Sequence, residues 1–381
     1  MLPFTLEMPG VVAYGSGSVS RLSSFVAELG TRLVVLSGSR WLAGSSWNET
    51  VAQALGGCLV EQVRCAPGEP TVSSVAEAVR AAAEFRPDAI VAVGGGSVMD
   101  TAKAVSALVR YPGSAERFLE GLPGAVAIPG ACVPWIAVPT TAGTGAEATK
   151  NAVIRVESAG VKRSMRSRFL LAHAAIVDPE LTLSLPASVT GTSGLDAFTQ
   201  LVEAYVSRAA TPPVRSLVEG AFDGMWEALN GLGASPGDLP LREKASYGSL
   251  VSGIALANSG LGAAHGFAAA VGGMFEVPHG LACAVFLPAV LHANRDVIGS
   301  DLARLVGGTR GREAAKDPVG WLASECRRLL SAYGLPTDLR GFSIPPQRAA
   351  ELAEKASGSS MRGNPRDLSM EERQEILRLC L

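Results

Sequence analysis

The stretch Ala89-Ile90-Val91-Ala92-Val93-Gly94-Gly95-Gly96-Ser97, continuing as Val98-Met99-Asp100-Thr101-Ala102-Lys103, decides how this chain folds. Five apolar residues, three of them β-branched, predict a strand buried on both faces. Three glycines then turn the chain, and residues 98–110 have helical character. A strand that passes through glycines into a helix is the building unit of parallel α/β sheets. The same alternation continues on either side. Residues 33–36 (LVVL) and 135–138 (WIAV) read as further buried strands. Residues 72–84 read as a helix with Val75, Ala78, Val79 and Ala82 on one face.

Beyond residue 185 the pattern changes. Helical spacing recurs over 194–207, 213–231, 244–258, 318–333, 346–357 and 370–379, with few strand candidates. Asp178-Pro179-Glu180 and Leu185-Pro186 mark the joint, because a residue before proline resists helix. The expectation is an α/β domain over 1–185 with a parallel sheet, followed by an all-α domain over 186–381. Gly/Ser/Pro clusters near 112–124 and 232–240 read as surface loops, and no internal repeat is apparent.

Composition sets bounds on function. With 381 residues, 48% of them apolar, two domains with sizeable cores are expected. A formal net charge of −2 gives no electrostatic reason for nucleic acid or an anionic membrane as partner, and 6% aromatic residues argue against a base-stacking surface. Cys58, Cys65, Cys132, Cys283, Cys326 and Cys380 form no CxxC pair, which fits reduced thiols better than a disulfide framework. The N-terminus lacks the basic and long apolar regions of a signal peptide, and no uninterrupted 18-residue apolar run occurs. A soluble, cytoplasmic protein is expected.

Three constellations carry chemistry. Gly95, Gly96 and Ser97 open a helix, where free backbone N–H groups and the helix dipole suit a phosphate or pyrophosphate. The stretch matches neither GxGxxG nor GxxxxGK[ST], so a tight turn that binds nothing stays open; Asp100 could equally cap the helix. Pro139-Thr140-Thr141-Ala142-Gly143-Thr144-Gly145 is a second strand end rich in hydroxyls. Two such loops on one sheet edge should line one crevice. Third, Asp196 and Gln200 are i and i+4 on a helix, and His265 and His279 flank a Gly-rich apolar run. A carboxylate, an amide oxygen and two imidazoles could hold a divalent metal, or each His could be satisfied in the core. His173 and His292 take the latter reading.

The chain resembles the iron-containing (group III) alcohol dehydrogenase family over essentially its whole length. The resemblance rests on GGGSVMDTAK (94–103), AVPTTAGTGAEAT (137–149), GLDAFTQLVEAYVS (194–207), NSGLGAAHGFAAAVGGMFEVPHGLACAVFLP (258–288) and RGNP (362–365). It implies a dehydroquinate-synthase-like architecture, with metal and nicotinamide meeting in the cleft between a dinucleotide domain and a helical domain. Gly95, Gly96, Ser97 and Asp100 match the family's pyrophosphate loop; Thr140, Thr141 and Thr144 match the loop flanking phosphates and nicotinamide. Asp196, His265 and His279 match three metal ligands, Fe(II) first and Zn(II) second. The fourth family ligand is usually His, where this chain has Gln200. Many members also carry a His four residues after His265, where this chain has Ala269. The implied activity is reversible hydride transfer between NADPH or NADH and a small aldehyde, in a homodimer. A metal-free reductase of the maleylacetate reductase type and a lyase or cyclase of the dehydroquinate-synthase type stay open as alternatives.

Two expectations refine this reading. Residues 33–36 run into Ser37-Gly38-Ser39-Arg40 with no carboxylate, so Gly38, Ser39 and Arg40 could accept a 2′-phosphate, favouring NADPH or dual use. Lys150 follows the Thr/Gly loop, Arg166 sits in the basic segment VKRSMRSRF with Lys162, Arg163 and Arg168, and Arg362 opens RGNP. Lys150, Arg362 and Arg166 could fix an anionic group of the aldehyde, such as a phosphonate, phosphate or carboxylate. A solvated basic loop or a subunit contact is the alternative for this basic cluster.

Overall fold

The strand–glycine–helix unit builds a six-stranded, all-parallel sheet. The computed structural model describes residues 3–38, 46–307, 314 and 316–381. The first half runs β1 (Val11–Tyr14), α1 (Leu22–Ala27), β2 (Arg32–Gly38), α2 (Ser46–Ala54), β3 (Leu59–Cys65), α3 (Val72–Phe85), β4 (Ala89–Gly94), α4 (Gly96–Arg110), β5 (Trp135–Pro139), β6 (Asn151–Val156), β7 (Val161–Arg166) and β8 (Ala174–Val177). Strand order is β1-β8-β5-β4-β2-β3, with β6 and β7 forming a separate antiparallel pair.

Successive residues of β2 and β4 face opposite sides of the sheet. Leu33, Val35, Val91 and Val93 pack with Leu22, Phe25 and Val51 on one face. Val34, Leu36, Ile90 and Ala92 pack with Ala78, Met99 and Val105 on the other. Burial on both faces is why these strands read as continuous apolar runs. From β2 the chain goes outward to β3 and then returns past β2 to β4. The order therefore reverses between β2 and β4, and ligands of such sheets bind outside the strand ends at that point.

The basic segment 161–166 is strand β7 rather than a loop. It pairs with β6 from Asn151↔Arg166 to Val156↔Val161. Ala152, Ile154 and Met165 close a small core with Leu108 and Phe118; in the sequence this is obscured by the basic residues Lys162, Arg163 and Arg166 of the same segment.

The second half contains only helices among the described residues: α5 (Ala187–Val206), α6 (Pro212–Leu232), α7 (Leu239–Ser259), α8 (Ala263–Met274), α9 (His279–Ala293), α10 (Arg295–Gly307), α11 (Pro318–Ala332), α12 (Ala349–Lys355), α13 (Ser359–Gly363) and α14 (Met370–Cys380). Helix α5 starts at Ala187, two turns before the sequence suggested. Gly191 and Gly194, which look like a break, are where Tyr333 and Leu229 press against the helix. The chain divides into two compact units. One holds residues 7–141 and 145–184; the other holds the described residues before Glu7, residues 142–144 and 185–381. No single helix among the described residues is long and apolar enough to cross a membrane. All six cysteines are free.

Candidate functional site

In the α/β unit, β4 and β5 end side by side, with Gly94 paired to Pro139. Gly95 is the N-cap of α4 and offers no side chain there. A Cβ on Gly95 would meet the Thr141 side chain at 3.2 Å, and one on Gly94 would clash with Val98 at 2.6 Å. The Thr140 amide donates to Gly94 O at 2.9 Å, fixing the two loops against each other. Gly95, Gly96, Ser97, Thr140 and Thr141 are each partly exposed, so the amides at the start of α4 stay open to a phosphate. Thr144 belongs to the helical unit. Gly38 ends β2 beside this loop, while Ser39 and Arg40 lie outside the described residues.

Asp100 neither caps α4 nor stands free. Its Oδ2 accepts from the Val153 amide at 2.9 Å, and its Oδ1 lies 3.3 Å from Lys103 Nζ. Lys103 is fully buried and also donates to Thr149 Oγ1 at 2.6 Å and Asn151 O at 2.8 Å. Asp100 thus fastens α4 to β6. Nearby Glu147 is buried, and desolvation pushes its carboxyl up to about 7 against the pull of the Lys103 ammonium.

The helical unit gathers a metal-binding constellation. Asp196 comes from the middle of α5, His265 from the first turn of α8, and His279 opens α9, with Cys283 one turn later. One donor atom from each of these four lies within 4.8 Å of the others. Gly280 makes this convergence possible, since a Cβ there would strike Thr192 O at 2.3 Å and Asp196 Cβ at 3.0 Å. Two donors are orphaned. Asp196 Oδ1 and His265 Nε2 are buried and 3.3 Å apart, yet neither has a hydrogen-bond partner of acceptable geometry. Buried polar atoms without partners are rare in native structures, and two aimed at one point fit a bound cation.

The surrounding groups hold these donors in place. Glu203 Oε2 lies 2.6 Å from His265 Nδ1, and its Oε1 accepts from the Ala264 amide at 2.7 Å. A carboxylate can only accept, so Nδ1 donates to Glu203 and Nε2 is the nitrogen left facing Asp196. Asn364 of the RGNP segment accepts from the Ala263 amide at 3.2 Å, anchoring the start of α8. Burial works against an ionised His265, but Cys283, Asp196 and Glu203 outweigh it and hold the imidazole well above its ordinary value. The Asp196 and Glu203 carboxylates beside it also favour a cation.

Gln200 sits on the same face of α5 but is engaged otherwise. Its Oε1 accepts from Ser252 Oγ at 2.8 Å, and its Nε2 faces Asp196 Oδ2 at 3.5 Å. Ala269 lies one turn beyond His265 and brings no titratable group. Cys283 and Glu203 escaped the sequence reading. The spacing His-x-x-x-Cys from 279 to 283 is the same one-turn signal as Asp196 to Gln200, and it was available.

The expected anion contacts fare unequally. Lys150 is ion-paired to Glu7, and Arg166 Nε lies 3.2 Å from Glu120 Oε1. Lys162 pairs with Glu69. Arg362, on α13, is exposed and has no ion pair among the described residues. Its neighbour Met361 packs against Gly266, the residue after His265.

Comparison with known proteins places these features in context. A family model described as iron-containing alcohol dehydrogenase matches residues 9–179, and one described as Fe-containing alcohol dehydrogenase family, C-terminal, matches residues 190–381. The chain is 32% identical over 371 residues to the probable alcohol dehydrogenase EutG of Escherichia coli, covering 97% of this chain and 92% of that protein. It is 31% identical over 312 residues to lactaldehyde reductase of Escherichia coli, covering 81% and 80%. A solved structure of a 1,3-propanediol oxidoreductase superimposes with a TM-score of 0.91 at 28% identity, covering 100% of both chains.

Proposed function

Because the chain belongs to the iron-containing alcohol dehydrogenase family, and is on that ground an NAD(P)-dependent oxidoreductase, we propose that it interconverts a small aldehyde and its alcohol using a divalent metal held by Asp196, His265 and His279. The observation that carries this reading is the pair of orphaned donors, Asp196 Oδ1 and His265 Nε2, facing each other in a buried cluster. When bound, the metal supplies a Lewis acid for the carbonyl oxygen and the reduced nicotinamide supplies hydride. Asp196 contributes the ligand charge, and Glu203 fixes the ring of His265. Gly95, Gly96 and Ser97 hold the pyrophosphate with backbone amides, while Thr140 and Thr141 flank it. The balance is aldehyde plus NAD(P)H plus a proton giving alcohol plus NAD(P)+. With alanine at 269, the proton comes from a group other than a residue-269 side chain.

The curated relatives include a lactaldehyde reductase, which supports a short carbonyl substrate. The substrate's other end is read as anionic, a phosphonate, phosphate or carboxylate, received by Arg362. The support is an exposed guanidinium without an ion pair among the described residues, on the helix that packs beside His265. Lys150 and Arg166 are left out of this role because each already holds a carboxylate.

The test is a panel of short aldehydes, neutral and charged at matched length, assayed by oxidation of the reduced cofactor with product quantified. One cofactor oxidised per alcohol formed is the expected result. A product formed without net cofactor oxidation would instead indicate lyase or cyclase chemistry. Arg362→Ala should lower kcat/KM for charged aldehydes selectively; equal use of neutral and charged aldehydes by the unaltered enzyme would remove the anion from the account.

A further inference from the structure

We propose that Cys283 is the fourth protein ligand of the metal, so that this chain builds an Asp-His-His-Cys site in which a thiolate takes the coordination place that Gln200 leaves unfilled. The inference rests on the metal-dependent reading above and concerns the identity of one ligand and, through it, the metal.

Geometry supplies the argument. Bond lengths of about 2.3 Å to sulfur and about 2.0–2.1 Å to nitrogen and oxygen give tetrahedral edges of roughly 3.6 Å for N···S and roughly 3.4 Å for N···O. The observed His279 Nε2···Cys283 Sγ separation is 3.6 Å, and His265 Nε2···Asp196 Oδ1 is 3.3 Å. The remaining pairs lie within 4.8 Å, so the set contracts modestly around one ion. Cys283 is fully buried, one helical turn from His279 on the same face of α9, and Gly280 lets that face lie against Asp196. Gln200, by contrast, offers a neutral amide oxygen, a weaker donor than a thiolate, that already accepts from Ser252. On binding, the Cys283 S–H bond breaks, its proton leaves to solvent, and the sulfur lone pair goes to the ion. A thiolate in an N/O/S set of four protein ligands, with a fifth position taken by the carbonyl oxygen, suits Zn(II) or Co(II) better than Fe(II).

Cobalt(II) reports on sulfur ligation directly. The purified chain is stripped of metal and titrated with Co(II). The expected spectrum has a near-ultraviolet thiolate-to-cobalt charge-transfer band, present in Cys326→Ser and absent in Cys283→Ser. Loss of an outer-sphere partner typically costs 10–100-fold in metal affinity, so loss of this ligand should weaken Zn(II) binding by at least about tenfold. Co(II) binding without the band, or a band that survives in Cys283→Ser, overturns the proposal while leaving metal dependence intact. Absence of any Co(II) or Zn(II) binding overturns both. Should Cys283→Ser fail to fold, zinc-edge X-ray absorption of the unaltered protein decides. One sulfur at about 2.3 Å supports the ligand; a shell of nitrogen and oxygen alone means that the thiol only hydrogen-bonds His279.

Discussion

Glu203 Oε2 lies 2.6 Å from His265 Nδ1, and this contact determines which imidazole nitrogen is left to bind. Both side chains are buried, so no water competes for the bond. Glu203→Gln removes the charge but keeps an acceptor. Metal affinity should fall by roughly 10–100-fold, measured by chelator competition, while the circular dichroism spectrum stays native. Unchanged affinity would mean that the carboxylate only caps α8.

Gly95 tests the cofactor loop separately from the metal. A valine there would fill the approach to the α4 amides and crowd Thr141, whose side chain stands 3.2 Å from the new Cβ. Gly95→Val should raise the Kd for the reduced cofactor by about tenfold or more, the size of a lost charge-assisted hydrogen bond. Metal content should not change. A cofactor titration matching the unaltered protein would refute the assignment of this loop.

Stability should depend on pH through Glu147. Its folded pKa is raised to about 7 by burial, above the ordinary value of 4.5. Between those values the folded state binds more protons, so stability is full below about pH 4.5 and falls as pH rises through 7. The loss amounts to about 3 kcal/mol at most. Glu147→Gln keeps the neutral shape and should flatten that part of the Tm–pH curve. A curve with the same slope in both proteins would place the dependence elsewhere.

Cofactor choice is tested at the sequence that follows β2. Strand β2 ends in Ser37 and Gly38 and is followed by Ser39 and Arg40, with no carboxylate for a ribose 2′-hydroxyl. NADPH should be used at least as well as NADH, and Arg40→Ala should reduce kcat/KM for NADPH alone. A preference for NADH of about tenfold, equivalent to 1.4 kcal/mol, contradicts this.

What could be read from the sequence follows from where periodicity is undiluted. Residues 33–36 and 89–93 are buried on both faces, and their continuous apolar runs announce central parallel strands. Hairpin β6–β7 was hidden because Lys162, Arg163 and Arg166 dominate β7 and read as a charged loop until Met165 is seen in the core. Asp196, His265 and His279 stood out as rare residue types in motifs. Cys283 did not, since a lone cysteine in an apolar helix is ordinarily core; only the fold shows its sulfur 3.6 Å from His279 Nε2. Lys150 and Arg166 looked available in the sequence because Glu7 and Glu120, which neutralise them, are far away along the chain.

The most direct test of the account is turnover as a function of bound metal. The protein is stripped by chelation, its metal content verified, and cofactor oxidation with a responsive short aldehyde measured before and after one equivalent of divalent metal is returned, with His279→Ala alongside. The account predicts no turnover in the stripped protein, recovery in proportion to metal bound, and no recovery in a folded His279→Ala. Full activity in a verified metal-free sample would contradict it.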